Sequence, residues 1–409
     1  MTADTVREIE RWLLVEGPRL ELAALVDALA HRLCAMGAPI DRLNVSFGLL
    51  NPSVIAGAVV WRPGRPIAFR RYDYDERETR QFDRSPLRVA HQERRWVHLD
   101  LATTPDDAFG IVPELKADGL AHYTVVPLPG SAGEFISLTI ATKRAEGLSA
   151  GDLAAIEAIS PALAAIVEIK RLRSTFRDVL AAYVGGSPAR EIARGTVHRG
   201  QITEMRAAIL VADLRGFTYL STRLPPAATA DVINRYYDVV VPAVNAFGGE
   251  VLKFIGDAVL AVFPTAKTGD AAATLAALDA GRRALSERSG TVEAGGRTVP
   301  LRFGIAIHLG DAVYGNVGSG NRLDFTVIGR DVNVAARIST LCSVLGRDFL
   351  VSREVADVGR ANGRAMADAG AHAVRGLDAP LPVFIPDTET ADPAADDGVS
   401  QGPVFIPSA

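Results

Sequence analysis

Gly249-Glu250-Val251-Leu252-Lys253-Phe254-Ile255-Gly256-Asp257-Ala258-Val259-Leu260-Ala261-Val262-Phe263 reads as two apolar strands folded back about Gly256-Asp257, a pair that favours a hairpin. The tip of that hairpin carries the carboxylate of Asp257, and the strand before it carries Lys253. Upstream, Ala207-Ala208-Ile209-Leu210-Val211-Ala212 is a continuous apolar run, the pattern of a strand buried on both faces. It ends in Asp213-Leu214-Arg215-Gly216-Phe217-Thr218 and passes into a helical stretch. A carboxylate at such a strand end can hold a cation, while backbone amides of the turn and helix start receive phosphate oxygens. Downstream, Asp324-Phe325-Thr326-Val327-Ile328-Gly329 reads as a strand, and a helix begins near Asp331. Asn333 and Arg337 are four residues apart and project from one face of it.

Taken singly, these fragments have ordinary readings: a cap, a turn with a solvated lysine, a polar helix face. In this combination and order they resemble the class III nucleotidyl cyclase catalytic domain, the adenylate/guanylate cyclase family, over roughly Met205–Pro386. The resemblance implies an α+β fold with a ferredoxin-like βαββαβ core, and two such domains packed head to tail in a homodimer with active sites at their interface. It implies that Asp213 and Asp257, helped by the backbone carbonyl of Leu214, hold two divalent cations (Mg²⁺ or Mn²⁺) over the phosphates of ATP. Gly216, Phe217 and Thr218 would receive phosphate oxygens. Lys253 and Thr326 match the base-reading pair: lysine donates only, which suits adenine N1, and the threonine hydroxyl accepts from the 6-amino group. Guanylate-specific members usually carry Glu and a small Cys or Ser there. Many members carry Asp where this chain has Thr326, and the Thr variants are often bicarbonate-responsive. Asn333 matches the ribose-orienting residue and Arg337 the one that stabilises the transition state, with Arg375 near a basic position that binds terminal phosphates. Asp213, Lys253 and Asp257 are expected from one protomer, Asn333 and Arg337 from its partner, and Thr326 from either. The expected product is cyclic AMP. A guanylate or mixed-specificity cyclase, and a catalytically silent nucleotide-binding module, are the competing classes. A diguanylate cyclase is excluded because Gly248-Gly249 is followed by Glu-Val-Leu-Lys, not by two acids and an aromatic at a hairpin tip.

The rest of the chain divides by texture. Residues 1–150 alternate helical and strand patterns and loosely resemble a small α+β sensor of GAF type, expected to bind an unknown regulatory ligand. Leu20–Met36 reads as a helix closed by Gly37. Leu43–Leu49 and Val54–Trp61 read as strands joined at Asn51-Pro52-Ser53, and His122–Leu128 with Glu134–Ala141 as a hairpin. The charged segment Arg70–Arg95 reads as a solvated loop or helix. His31, His91, His98 and His122 lack metal-ligand spacing and read as structural. Residues 151–200 form the expected helical linker, capped by Ser149 with Asp152 in its first turn. From Ile156 to Tyr183 it carries an apolar stripe that fits either a dimer helix or packing on its own domain. Pro161 is expected to kink or split it, and Gly185–Pro188 to end it before a basic connector, Ala189–Gly200. Residues 201–386 are the catalytic domain, and 387–409 an Ala-, Asp- and Pro-rich tail in which Pro403–Pro407 repeats Pro382–Pro386.

With 409 residues, 48% of them hydrophobic and 22% charged, the chain has enough apolar surface for two or three cores and is not a disordered or fibrous protein. A net charge of −4 offers no basic field for nucleic acid or an anionic membrane. Cys34 and Cys342 read as separate reduced thiols. No signal peptide and no uninterrupted membrane span is evident, so a cytoplasmic location is expected.

Overall fold

The computed structural model describes residues 3–51, 54–74, 82–131, 135–196, 198–288, 290–320 and 322–386. The chain divides into two units, Met1–Tyr183 and Val184–Ala409. The first is built on a six-stranded antiparallel sheet in the order β3-β2-β1-β6-β5-β4. Its strands are β1 (Arg42–Gly48), β2 (Val54–Trp61), β3 (Ala68–Asp73), β4 (Val97–Asp100), β5 (His122–Pro127) and β6 (Ile136–Thr142). Alternation along β1 sends Leu43, Val45 and Phe47 into a core shared with α1 (Ala3–Val15) and α2 (Leu22–Ala35). Arg42, Asn44 and Ser46 are also buried, and Arg42 pairs with Glu114 at 3.1 Å. Glu114 lies on α4 (Val112–Ala117), which follows α3 (Pro86–Glu93).

Arg70–Arg95 is not only loop or helix: its first residues belong to β3 and its later ones to α3, while residues 75–81 lie outside the described residues. The strand escapes sequence reading because it is an edge, paired only with β2, and keeps Phe69, Arg70 and Arg71 exposed. Pro52 and Ser53 of the expected turn are also outside the described residues.

α5 (Ala150–Val184) begins with a reciprocal cap: Ser149 Oγ accepts from the Asp152 amide at 3.2 Å, and the Ser149 amide donates back to the Asp152 carboxylate at 2.9 Å. The helix runs unbroken through Pro161, so the proline does not split it. Proline removes one backbone donor, and next to it Ser160 Oγ donates to the Ile156 carbonyl at 2.6 Å. The apolar stripe divides in two. Ile156, Ile159, Leu163, Ile166 and Val167 pack in the core of the N-terminal unit, whereas Leu172 is 48% exposed, Phe176 55% and Tyr183 83%. By length and composition α5 is apolar enough to cross a membrane, which a reading based on uninterrupted apolar runs overlooks, and its first half is already enclosed by that core.

The second unit opens with α6 (Gly186–Ala193), where the sequence suggested only a connector. Ser187 donates its amide to Glu250, and the Asn316 side chain donates to the Thr196 carbonyl at 2.9 Å, so the segment is seated on the unit that follows it. Then come β7 (Ile202–Leu214), α7 (Phe217–Arg223), α8 (Pro226–Ala246), β8 (Glu250–Ile255), β9 (Ala258–Pro264) and α9 (Gly269–Glu287). A small hairpin, β10 (Thr291–Ala294) and β11 (Arg297–Pro300), leads to β12 (Phe303–Ser319) and β13 (Arg322–Ile328). The chain continues with α10 (Arg330–Val344), β14 (Phe349–Ser352), α11 (Arg353–Ala361), β15 (Met366–His372) and β16 (Leu381–Pro386).

The sheet runs β15-β16-β14-β12-β7-β9-β8, with β13 pairing β12. Its part β12-β7-β9-β8, crossed by α8 and α9, is the expected βαββαβ core. β7 is buried on both faces, as its unbroken apolar run requires. Ala208, Leu210 and Ala212 meet α8 and α9, while Ala207, Ile209 and Val211 share a cluster with α10. Residues 387–409, with the second Pro-Val-Phe-Ile-Pro, lie outside the described residues; the first copy lies in β16 with Val383 and Phe384 buried.

The start of α10 sits against β12. Asp331 accepts from the Asp311 amide at 2.7 Å, and a Cβ added at Gly310 would lie 2.2 Å from Asp331 Oδ2. Gly310→Ala is therefore expected to lower unfolding free energy by about 1–3 kcal/mol in a urea titration. Gly320→Ala, where an added Cβ meets nothing, should leave the midpoint unchanged.

Candidate active site

The antiparallel register of β7 and β9 places Asp213 opposite Ala258, one residue past the β8–β9 turn. Gly256 makes that turn with φ +63, and the Leu214 amide donates to the Asp257 carbonyl at 3.4 Å. The side chains of Asp213 and Asp257 meet as a result. The Asp213 carboxyl is pushed up to about 6, chiefly by burial, then by the negative charge of Asp257 and their mutual hydrogen bond. Among the described residues neither carboxylate forms an ion pair with a basic side chain. Tyr236 of α8 is fully buried, and its hydroxyl has no hydrogen-bond partner among the described residues. Burial, followed by the charges of Asp213 and Asp257, pushes its ionisation well up. Two apposed carboxylates that lack a cationic partner suit divalent cations, whose hard charge prefers oxygen ligands. No group of three or more acidic, histidine or cysteine ligands occurs among the described residues, so backbone oxygen, water or nucleotide would complete the coordination.

Beyond Asp213, Arg215 turns away from the carboxylates. Its guanidinium donates to the carbonyls of Cys342, at 3.2 Å, and Arg347, and pairs with Asp348 at 2.9 Å. Gly216 takes φ +71 at the start of α7. Thr218 is exposed, whereas the Phe217 side chain packs on the core, so Phe217 offers a ligand only its backbone.

Lys253 of β8 donates to Asp324 of β13. The sequence reading overlooked Asp324, although period-two alternation already puts it on the face of Thr326. Phe325 and Val327 point the other way and are buried, while Thr326 is half-buried and Asp324 exposed. The contact ties Lys253 to β13 of its own chain. β13 runs directly into α10, so Thr326, Asn333 and Arg337 are held by one continuous piece of backbone. Asn333 and Arg337 are exposed side by side, opposite buried Val334, Ala335 and Ile338, and neither side chain takes a partner among the described residues. Arg375 is exposed between β15 and β16, and among the described residues no hydrogen bond or ion pair joins it to the aspartates. Cys34 and Cys342 are free thiols.

Residues 202–386 match the family model of the adenylate and guanylate cyclase catalytic domain. An adenylate cyclase of Anabaena cylindrica is 35% identical over 158 residues, covering 38% of this chain and 31% of that one. An uncharacterised protein of Mycobacterium tuberculosis is 32% identical over 220 residues, covering 53% and 39%. Among solved structures, the adenylyl cyclase CyaB of P. aeruginosa matches with 25% identity and a TM-score of 0.40, covering 47% of this chain and 98% of that one. The GTP-bound guanylate cyclase domain from Catenaria anguillulae matches with 16% identity and a TM-score of 0.37, covering 46% and 98%. By that family model, residues 202–386 resemble the class III nucleotidyl cyclase catalytic domain. The chain spans between 31% and 39% of the length of these curated relatives.

The carboxyl shift has a measurable consequence. Asp213 holds its proton up to about 6 in the fold, against about 3.9 for an unperturbed aspartate, so the folded state binds that proton more tightly. Metal-free protein should therefore lose thermal stability as pH rises from about 4 through 6. Asp257→Asn should flatten that dependence and raise the metal-free melting temperature at pH 7. Mg²⁺ or Mn²⁺ should stabilise the unsubstituted protein more than the variant.

Proposed function

We propose that the catalytic domain converts ATP to 3′,5′-cyclic AMP and pyrophosphate, working as a homodimer with head-to-tail catalytic domains. The observation that carries this reading is the Asp213–Asp257 pair at the β7 end and hairpin tip. In the reaction the ribose 3′-hydroxyl oxygen bonds to the α-phosphorus, loses its proton, and displaces pyrophosphate. Asp213 and Asp257, with the Leu214 carbonyl, would hold two divalent cations, Mg²⁺ or Mn²⁺, which supply Lewis acidity at the attacking hydroxyl and the leaving phosphates. Asn333 orients the ribose. Arg337 offers a permanently charged fork to the phosphoryl oxygens in the transition state, and its freedom from protein partners supports that role. Lys253 donates to adenine N1 and Thr326 accepts from the 6-amino group, which favours ATP over GTP. Because β13 and α10 are continuous, Thr326, Asn333 and Arg337 of one protomer would face the aspartates of its partner, and Lys253 would travel with them.

The assay is turnover of ATP and GTP with Mg²⁺ or Mn²⁺, quantifying both cyclic nucleotides. Cyclic AMP should form, Asp257→Ala should abolish it, and Arg337→Ala should lower kcat by about 10²–10³ with a smaller change in KM. Cyclic GMP as the main product would retain the cyclase and refute the base reading. Nucleotide binding without any product would point to a silent binding module.

We also propose that the N-terminal unit, as a GAF-like sensor of an unknown ligand, controls the cyclase through α5. The exposed second half of α5 supports this reading, because Leu172, Phe176 and Tyr183 form an apolar stripe suited to a second copy of the same helix. Leu172→Glu combined with Phe176→Glu should weaken dimerisation in analytical ultracentrifugation and lower specific activity at dilute protein.

A further inference from the structure

We propose that Asp324 is a positioning residue for Lys253 and thereby sets the purine preference of the site, an inference that rests on the cyclase reading above. Lys253 and Asp324 stand on separate strands, β8 and β13, yet their side chains are paired while 37% and 54% exposed. An exposed ion pair contributes little to folding, about 0–1 kcal/mol, so the fold does not depend on it. It does fix where the ammonium sits. Lysine is a point charge on a flexible stem, and an untethered Lys253 would lose more side-chain entropy on meeting a base than one already held. Asp324 takes one of the three ammonium donors and leaves two for a ring nitrogen and solvent.

The same contact governs discrimination. Strand alternation puts Asp324 and Thr326 on one face of β13, beside Lys253, with Phe325 and Val327 buried on the other. A free carboxylate on that face would accept from the N1–H and 2-amino groups of guanine. Paired with Lys253, Asp324 has its charge neutralised and its acceptor directed at the ammonium, so adenine, read by Lys253 and Thr326, is favoured. Removing the carboxylate releases the lysine; removing the lysine uncovers the carboxylate.

The test measures kcat and KM of the full-length protein for both nucleotides, together with equilibrium binding of 3′-deoxy-ATP and 3′-deoxy-GTP, which lack the attacking hydroxyl. Asp324→Asn should raise KM for ATP and weaken 3′-deoxy-ATP binding about tenfold, with kcat changed less than about threefold. Asp324→Glu should recover most of the loss. Lys253→Ala should shift the ATP:GTP binding ratio towards GTP by about tenfold, and adding Asp324→Asn should reverse that shift. Unchanged nucleotide ratios in Asp324→Asn, Lys253→Ala and their combination overturn the proposal, as does an equal fall in kcat for both nucleotides at unchanged KM. Unsubstituted protein that prefers GTP, or binds without turnover, would sink the adenylate cyclase reading instead, and the binding ratios of the variants would still judge Asp324.

Discussion

Two negative charges held together by backbone pairing organise the catalytic unit. The β7–β9 register leaves Asp213 and Asp257 no route apart: one sits at a strand end, the other in the turn beside it, and a backbone hydrogen bond links their neighbours. Burial first, and their mutual repulsion second, raise the Asp213 carboxyl to about 6. A fold selected for stability alone would not place two acids there; a divalent cation bound between them would remove the penalty. The buried Tyr236 hydroxyl, without a hydrogen-bond partner among the described residues, lies within reach of the same charges in an otherwise apolar core.

Much of this was legible in the sequence because the determinants are local. The unbroken apolar run of β7 signalled burial on two faces, Gly256-Asp257 signalled the hairpin, and the spacing of Asn333 and Arg337 signalled one helix face. The features that were not legible are those decided by partners distant in the chain. Asp324 became informative only when β8 and β13 were seen to approach each other. β3 looked like loop because an edge strand can keep charged side chains in water. Pro161 looked like a break, but the stretch around it is packed in a core that holds the helix together.

α5 shows how one sequence pattern can serve two environments. The same apolar step of three and four residues runs along its whole length, yet the part up to Val167 is enclosed by the N-terminal unit and the part beyond is open to solvent. Periodicity identifies an apolar face; it does not say which surface will cover it. The segment after α5, seated on β8 and β12 through Glu250 and Asn316, contacts the strand that carries Lys253.

Arg215 has a consequence that reaches past its own neighbourhood. One guanidinium ties the chain just after Asp213 to the carboxyl end of α10 and to Asp348, which Arg288 also grips at 2.7 Å. In a head-to-tail dimer, Asp213 would serve one composite site while Asn333 and Arg337 of the same α10 served the other. A displacement of α10 on filling one site would then be passed through Arg215 to the carboxylate of its twin. In such a dimer the shared α10 would couple the two sites, and the two turnovers would be correlated and not independent.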